Sequence, residues 1–289
     1  MSLICSNCQF GQLRGDSEVL GHINSWQVLR CPRCYLVYVH PQPGQDEIFS
    51  FYKTYHDKTG QEILCKTGEN LLFKQVLDHI HRIQPTGQLL DIGSSYGYFM
   101  KAAQKYGYDP VGVEMVSAPC EFARIQLGLE VFNGQLEDAR FETGRFSVVT
   151  LLNVLEHLWN PYATMCEVYR LLEPCGIIAI VVPNLNFGYP FLFWCSRVLR
   201  HSNFKIGISV FDVPAHLFLF TPTTLRRLLL DAGFTAVSIA NAPVIHNLSP
   251  IKTLAKLSVK TLTDFLYWLS NGVWILNYSM LAIAQKPNP

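Results

Sequence analysis

The sequence predicts an α/β fold, and two observations predict it. Seven short apolar runs rich in Val, Ile and Leu recur between residues 88 and 285, and helical stretches separate most of them. Such runs are typical of parallel strands buried on both faces of a sheet. A turn with two glycines, at residues 93–97, directly follows the first run, as in sheets that bind a nucleotide beyond their strand ends. Together these features predict a Rossmann-like, doubly wound and mostly parallel sheet of seven strands.

Each element has its own local signal. The predicted strands are QLLDIG (88–93), PVGVE (110–114), LEVFN (129–133), FSVVTLLN (146–153), GIIAIVVPN (176–184), TAVSIANA (235–242) and YSMLAIAQ (278–285). Apolar residues at helical spacing predict helices over 48–57, 69–83, 96–107, 162–174, 221–234 and 250–270. The helix over 221–234 also has a Thr at its start and a Gly near its end, which are common capping residues.

The chain is predicted to have two parts. Residues 1–45 carry paired cysteines, show little periodicity and end in the Pro/Gly-containing segment HPQPGQ, so we expect a small separate module. Residues 46–289 form the main domain. The alternating rhythm of the main domain is interrupted by an aromatic insertion at 187–215 and a helical insertion at 248–275. The default interpretation of these apolar insertions is core or lid packing. A hydrophobic substrate channel, or a patch that rests on a membrane to reach a lipid-linked substrate, is the alternative.

Four cysteines of the first part have the spacing of a zinc site. They form two C-x2-C pairs separated by 22 residues: Cys5, Cys8, Cys31 and Cys34. Each pair fits two thiolates on one tight turn, and four thiolates close a tetrahedral coordination shell. We therefore expect a structural zinc ion rather than a catalytic one. A redox role is the rival, but it would call for a single C-x-x-C near the start of a βαβ unit.

Composition restricts the class of protein. Apolar residues make up 49% of the 289 residues and charged residues 16%, as in a globular protein. The net charge of +1 gives no reason to expect nucleic acid or an anionic membrane as a partner. The first residues lack the pattern of a signal peptide, so we expect a cytoplasmic protein with reduced cysteines. The uncharged stretch 265–285 is long enough to span a bilayer, but polar residues interrupt it, and we expect a helix end, a turn and a strand.

Two acids end neighbouring predicted strands. Asp91 ends the first strand, just before Gly93, and Glu114 ends the second. An acid at the first position would repel a pyrophosphate and attract a cationic amino group, whereas the second acid can accept both hydroxyl protons of a ribose. Ser95 occupies the second glycine position of the dinucleotide fingerprint, which disfavours a nicotinamide cofactor. The pattern therefore indicates a ribonucleoside that carries an amino acid. The plain alternative is an ordinary glycine turn that Asp91 caps.

Four segments in order resemble a known enzyme family. LLDIGSSYGYF, VGVEM, FSVVTLLNVLEHLWNP and LLEPCGIIAIVVPN resemble motifs I, post-I, II and III of class I S-adenosylmethionine-dependent methyltransferases. HLFLFTPTTLRRLLLDAGF resembles a later segment of the subgroup that includes ubiquinone-biosynthesis and sugar methyltransferases. The resemblance covers about residues 70–286. The chain departs from the family at Ser147, where Asp is frequent, and at Cys175, where Gly is frequent.

The resemblance implies that S-adenosylmethionine binds over the strand ends. Asp91 would lie near the methionine amino group and Glu114 would hold the ribose. The other implied cofactor residues are Gly93, Ser95 and Gly97 in the turn, Met115 after the second strand, Gln135, Leu136 and Glu137 near the adenine, and Asn153 and Val154 beside the sulfonium. The acceptor would be a small molecule, such as a sugar or a polyprenyl-linked metabolite. Methylation at oxygen, nitrogen and carbon all fit the pattern.

Two histidines are candidates for a catalytic base. His157 follows the fourth strand of the predicted sheet, at the ligand edge, and His216 lies in the segment PAHLFLFT. An imidazole suits this role because its pKa is near neutrality. The alternatives are that Glu156 and His157 cap the loop into the next helix, and that His216 is a packed core residue. The rival to an enzyme is a catalytically silent, methyltransferase-like module that binds other proteins through its cysteine unit and aromatic patches.

Overall fold

The computed structural model of the protein describes residues 17–23, 25–44, 46–52, 54, 71–186, 216–242, 261–270 and 275–288. Its strands are β1 (Glu18–Ile23), β2 (Trp26–Arg30), β3 (Val37–His40), β4 (Gly87–Ile92), β5 (Tyr108–Glu114), β6 (Glu130–Asn133), β7 (Phe146–Leu152), β8 (Leu172–Pro183), β9 (Phe218–Leu219), β10 (Thr235–Asn241) and β11 (Ser279–Gln285). Its longer helices are α1 (Leu71–Ile83), α2 (Tyr98–Lys105), α3 (Ser117–Leu127), α4 (Pro161–Leu171) and α5 (Pro222–Asp231).

The main sheet has seven strands in the order β10-β11-β8-β7-β4-β5-β6. Strands β4 to β8 are parallel, and β11 runs antiparallel between β8 and β10. All seven predicted strand segments form this sheet, which confirms the Rossmann-like α/β fold. The chain order changes direction at β4, since β5 and β6 lie on one side of it and β7 and β8 on the other. The cleft beyond such a reversal is where doubly wound sheets bind ligands.

Helices cover both faces of the sheet. Adjacent residues of one strand belong to different apolar clusters: Leu89 packs with helix α1, and Leu90 packs in the cluster that includes residues of α4 and α5. This alternation is what a strand with a period of two requires when both faces are covered. Helix α5 begins with the predicted cap, because Thr221 accepts the N–H of Thr224 through its side chain. The sheet is therefore packed against helices on both faces.

A second, four-stranded sheet joins the N-terminal strands to β9, which precedes helix α5. Its order is β1-β2-β3-β9, and all its neighbouring strands are antiparallel. Strand β9 follows the long insertion, and its Phe218 pairs with Tyr38 of β3. Leu29 and Tyr38 of the first part pack in the same apolar cluster as residues of β7 and β8. The segment that contains His216 is thus tied to the N-terminal strands. The domain boundary at residue 45 stays a prediction.

Some predicted features fall outside the described residues. These are Cys5, Cys8, the aromatic insertion 187–215, part of the insertion 248–275, and the turn expected within 265–285, which we assign to Asn271 and Gly272. The predicted helix over 250–270 is described at 261–269, where Phe265 and Trp268 are exposed, so these two side chains are not core residues. Within the described part of the chain, every helix is too short or too polar to cross a bilayer.

Candidate active site

Asp91 and Glu114 lie at the carboxyl ends of the adjacent strands β4 and β5, as predicted. Their relative exposures are 3% and 6%. Thr150 of the neighbouring strand β7 donates its hydroxyl to Asp91 Oδ1 at 2.7 Å. Burial raises the pKa of Asp91 to about 7; the Thr150 hydrogen bond lowers it, and the nearby Glu114 raises it further. The two acids therefore form a buried pair that would attract a cationic group.

Backbone donors fix the orientation of Glu114. Its Oε2 accepts the N–H of Ser95 and its Oε1 accepts the N–H of Val116, each at 2.9 Å. Burial raises the pKa of the Glu114 carboxyl, while the backbone hydrogen bonds favour the ionised form and oppose that rise. The carboxylate is thus held in one orientation at the end of β5. A carboxylate has about four acceptor positions, so it can accept further hydroxyl donors.

The turn after β4 has the backbone conformation that its glycines allow. Gly93 and Gly97 have φ angles of 72° and 79°, and Ser95 between them has 49°. A Cβ atom on Gly93 would lie 2.5 Å from Cγ2 of Val154, and one on Gly97 would lie 2.6 Å from Cδ1 of Leu129. The turn therefore lies directly against the segment that follows β7. This close approach places the predicted cofactor turn beside Val154.

The predicted adenine-side residues lie after β6, next to β5. Leu136 begins a short 3-10 turn and is buried, whereas Gln135 and Glu137 are exposed. The side-chain amide of Asn133 donates to the backbone carbonyl of Glu114 at 2.9 Å. Met115 is partly buried after the end of β5. The structure thus brings the residues after β4, β5 and β6 to one edge of the sheet.

The two candidate histidines lie against each other. Their ring centroids are 4.7 Å apart, with an angle of 42° between the ring planes. His157 ends the 3-10 turn after β7, and His216 comes shortly before β9. The backbone N–H of Leu217 donates to the carbonyl of Glu156 at 2.9 Å and so holds the two segments together. Tyr52 contacts the His157 ring edge-to-face, with centroids 5.6 Å apart.

Glu156 is the residue of this edge that the sequence analysis did not assign to the site. Its side chain is 1% exposed, and its Oε1 lies 3.7 Å from Nε2 of His157. Neither carboxylate oxygen has a hydrogen-bond partner among the described residues. Burial raises its pKa to about 8. The predicted capping alternative is not what the structure shows, because Asn160 caps helix α4 by accepting the N–H of Ala163. The sequence signal that could have indicated Glu156 as a site residue is its position as an acid within the mostly apolar segment VLEHLW (154–159).

Cys31 and Cys34 are both buried in the turn that joins β2 to β3. The N–H of Tyr35 donates to the carbonyl of Cys31, and the N–H of Cys31 donates to the carbonyl of Leu36, both at 2.9 Å. These hydrogen bonds close a tight turn around the second cysteine pair. The first pair lies outside the described residues.

The comparison with known families decides the class. The sequence model of a methyltransferase domain family matches residues 67–239, more than half of the chain. The chain belongs to this methyltransferase family. The matched range includes the acidic pair, the glycine turn, both histidines and strands β4 to β8.

Curated relatives and solved structures agree with this assignment. The methyltransferase is 28% identical over 212 residues to the ubiquinone biosynthesis O-methyltransferase of Psychrobacter arcticus, a match that covers 69% of this chain and 72% of that one. A protein of the same name from Pseudomonas aeruginosa is 31% identical over 105 residues, covering 34% of this chain and 45% of that relative. The chain is also similar in fold to the 1,6-didemethyltoxoflavin-N1-methyltransferase of Burkholderia thailandensis, with a TM-score of 0.54, 14% identity and coverages of 95% and 100%.

The protein is therefore an S-adenosylmethionine-dependent methyltransferase. The site fits that cofactor on its own geometry. Among the described residues, the charged group that shifts the pKa of Asp91 is another acid, Glu114. Two neighbouring carboxyl groups suit a ligand that carries an ammonium group and hydroxyl donors. A side chain at position 93 would clash with Val154, so the turn beside this acidic pair requires a glycine there. The rival of a silent binding module loses its support.

Proposed function

We propose that the methyltransferase transfers a methyl group from S-adenosylmethionine to an oxygen of a small-molecule acceptor that binds beside His157 and His216. The observation that carries this proposal is the contact between Gly93 and Val154. It joins the turn of the acidic pair to the segment that ends in His157, three residues after Val154. The proposed cofactor residues and the histidine pair would then meet at the carboxyl ends of the strands.

The cofactor contacts are proposed residue by residue. Asp91 would accept from the amino group of the methionine part, and Glu114 would accept from the ribose hydroxyls. The remaining contacts would come from Gly93, Ser95, Gly97 and Met115, from Gln135, Leu136 and Glu137 around the adenine, and from the backbone of Asn153 and Val154. The buried position of both acids supports these roles, because a hydrogen bond to a charged group is stronger where water is excluded.

The cofactor supplies a methyl group that its sulfonium already activates. The protein must then align the acceptor with that methyl group and exclude water, and such positioning can contribute roughly 7–11 kcal/mol to the lowering of a barrier. His157 and His216 are the proposed catalytic residues. They activate the acceptor, because an imidazole nitrogen can bind a hydroxyl and draw off its proton near neutral pH.

The relatives support an oxygen acceptor. Those from Psychrobacter and Pseudomonas are both named as O-methyltransferases of ubiquinone biosynthesis. We therefore propose a phenolic hydroxyl, on a molecule that carries a polyprenyl chain, as the acceptor. Purified protein with isotope-labelled S-adenosylmethionine should transfer the label to a prenylated phenol and not to the matching aniline. Transfer to the aniline alone would contradict the choice of oxygen.

We also propose a structural zinc ion held by Cys5, Cys8, Cys31 and Cys34. The support is the spacing of the four residues and the tight turn in which Cys31 and Cys34 are both buried. Four thiolates would leave no coordination position open for a substrate, which is typical of a structural zinc site. The ion would fasten the segment before β1 to the turn between β2 and β3.

A further inference from the structure

The side chains of Glu156, His157 and His216 form a cluster at the acceptor side of the site. One ligand-capable atom from each residue lies within 4.8 Å of those of the other two. Glu156 Oε1 lies 3.7 Å from His157 Nε2. All three side chains are buried or partly buried, so the cluster is not an exposed group of charges.

Glu156 is the member that points to a ligand. Its side chain is 1% exposed, it is directed at His157, and neither of its oxygens has a hydrogen-bond partner among the described residues. A buried polar group without a partner costs about 1–3 kcal/mol, and more if it is charged. A side chain placed at that cost in an otherwise well-packed segment requires an explanation, and a bound cation supplies one.

We propose that Glu156, His157 and His216 bind a divalent transition-metal ion. One carboxylate and two imidazoles are a common ligand set for Zn²⁺, Fe²⁺ and Mn²⁺ in proteins. Ligand atoms about 2.0–2.2 Å from one ion lie about 3.4 Å apart in tetrahedral geometry. The separation of 3.7 Å between Glu156 Oε1 and His157 Nε2 is already near that value. The ligand atom of His216 lies within 4.8 Å of the other two, so it would have to move by about 1.4 Å at most.

The backbone supports this arrangement. The hydrogen bond from Leu217 N–H to the Glu156 carbonyl fixes the segment of His216 against the turn that carries the other two ligands. The N–H of His157 donates to the carbonyl of Val154 at 2.9 Å and closes that turn. The ligands therefore come from two segments that are joined before any ion binds.

The proposal deepens the proposed function and rests on it for the role of the ion. Three protein ligands leave coordination positions open, as in catalytic rather than structural metal sites. An acceptor hydroxyl that occupies an open position would ionise more readily, because the ion stabilises the oxygen anion. The O–H bond then breaks with loss of the proton to solvent, the oxygen forms a bond to the methyl carbon, and the bond from that carbon to sulfur breaks. With the ion bound, His157 and His216 would hold the ion, and the ion would activate the acceptor hydroxyl in place of a direct proton transfer to an imidazole.

Metal binding to the full chain tests the site without an acceptor. The protein is treated with a chelator, desalted and titrated with Mn²⁺, and free Mn²⁺ is followed by electron paramagnetic resonance. Mn²⁺ is chosen because it prefers oxygen and nitrogen ligands and binds thiolates poorly, so the cysteine site does not interfere. We expect one Mn²⁺ per chain, with affinity lowered by about tenfold or more in Glu156→Gln and in His216→Ala.

Matched variants control for general effects. Glu121→Gln and His79→Ala change exposed residues of helices α3 and α1 and should bind Mn²⁺ as the unchanged protein does. Circular dichroism shows which variants are folded, and His216→Gln replaces His216→Ala if the latter unfolds. Absence of Mn²⁺ binding at millimolar concentration, or equal affinity in Glu156→Gln and Glu121→Gln, would overturn the proposal.

The same samples separate this proposal from the proposed function. Binding of S-adenosylmethionine without binding of Mn²⁺ would overturn the metal site alone. Binding of Mn²⁺ without binding of S-adenosylmethionine would overturn the proposed function and leave the metal site standing. A repeat with Zn²⁺ on Cys31→Ser should show a loss of one equivalent while the Mn²⁺ site is retained.

Discussion

Ser95 donates its backbone N–H to the carboxylate of Glu114 at 2.9 Å, so the turn after β4 is fastened to the end of β5. The same carboxylate accepts the N–H of Val116 through its other oxygen. One side chain therefore positions the turn, the start of the next segment and the proposed ribose site together.

Glu114→Gln should weaken both folding and cofactor binding. An amide has one oxygen, so one of the two backbone N–H groups loses its acceptor, and a lost charged hydrogen bond costs about 1.5–3 kcal/mol. We expect affinity for S-adenosylmethionine to fall about tenfold to a hundredfold and the unfolding midpoint in urea to decrease. Glu121→Gln, on the exposed face of α3, is the matched control. Equal cofactor affinity in the two variants would remove Glu114 from the cofactor site.

Gly93→Ala should damage the turn through a clash. Its φ of 72° and the distance of 2.5 Å from the new Cβ to Val154 Cγ2 act together. Gly107 also has a positive φ, of 88°, but a Cβ there meets no atom within 4 Å. Gly107→Ala therefore measures the cost of backbone strain alone. We expect a larger loss of cofactor affinity in Gly93→Ala, with partial recovery in Gly93→Ala combined with Val154→Ala. The same loss in both single variants would show that the contact with Val154 is unimportant.

Cofactor binding should release a proton in mildly acidic solution. The pKa of Asp91 is about 7, above its ordinary value of 3.8. Below about pH 7, the Asp91 carboxyl of the unliganded folded protein is therefore mostly protonated. The stability that this shift contributes is present below the ordinary pKa and is lost as the pH rises through about 7. Binding an ammonium group requires the carboxylate, so affinity should rise with pH up to about 7.

Calorimetry in two buffers with different heats of ionisation measures this release. The heats should differ between buffers at about pH 6 and converge at about pH 8, since most Asp91 is then already ionised. In Asp91→Asn, the difference between the binding heats in the two buffers at about pH 6 should disappear. Equal heats for the unchanged protein in both buffers at the lower pH would contradict the shift.

Glu156→Met should stabilise the chelator-treated protein. Methionine has a similar length and no polar atoms, and it replaces a buried carboxyl group that has no hydrogen-bond partner among the described residues. We expect the free energy of unfolding to rise by about 1–3 kcal/mol, measured by denaturation in urea. A gain in stability combined with loss of activity is typical of residues kept for function. A lower free energy of unfolding would mean that the carboxyl group has a stabilising role in the fold.

The zinc content of the purified protein should depend on the paired cysteines. If four cysteines hold the ion, the protein purified under reducing conditions should contain one equivalent of zinc more than Cys34→Ser purified in the same way. Cys175→Ser is a suitable control, because Cys175 is an exposed cysteine of the main domain. Less than half an equivalent in the unchanged protein would count against the site.

The sequence predicted the main sheet well because its strands are apolar runs with clear boundaries. The tips of β4 and β5 were found from Asp91 and Glu114, and the glycine turn from Gly93 and Gly97, since these residue types are informative in isolation. Strands β1 and β2 were missed because their burial is mixed and their alternation weak, and β3 was missed because it has only 4 residues. The two-residue strand β9 is too short to have a period at all.

The contact between His157 and His216 could not be predicted from either motif. It depends on the pairing of β3 with β9, which brings a distant segment to the end of β7. Glu156 was noticed only as part of a loop cap, since a single acid in an apolar segment does not show whether its partner is a helix end, a histidine or an ion.

Calorimetric titration of S-adenosylmethionine into the unchanged protein, Asp91→Asn and Asp109→Asn tests directly whether the buried acid of β4 binds the cofactor. Asp109 lies near the start of β5, at the opposite edge of the sheet, and is exposed. We expect saturable binding of one cofactor to the unchanged protein and to Asp109→Asn, and affinity about a hundredfold lower in Asp91→Asn. Equal affinities in the two variants, or no binding to the unchanged protein at millimolar cofactor, would contradict this expectation.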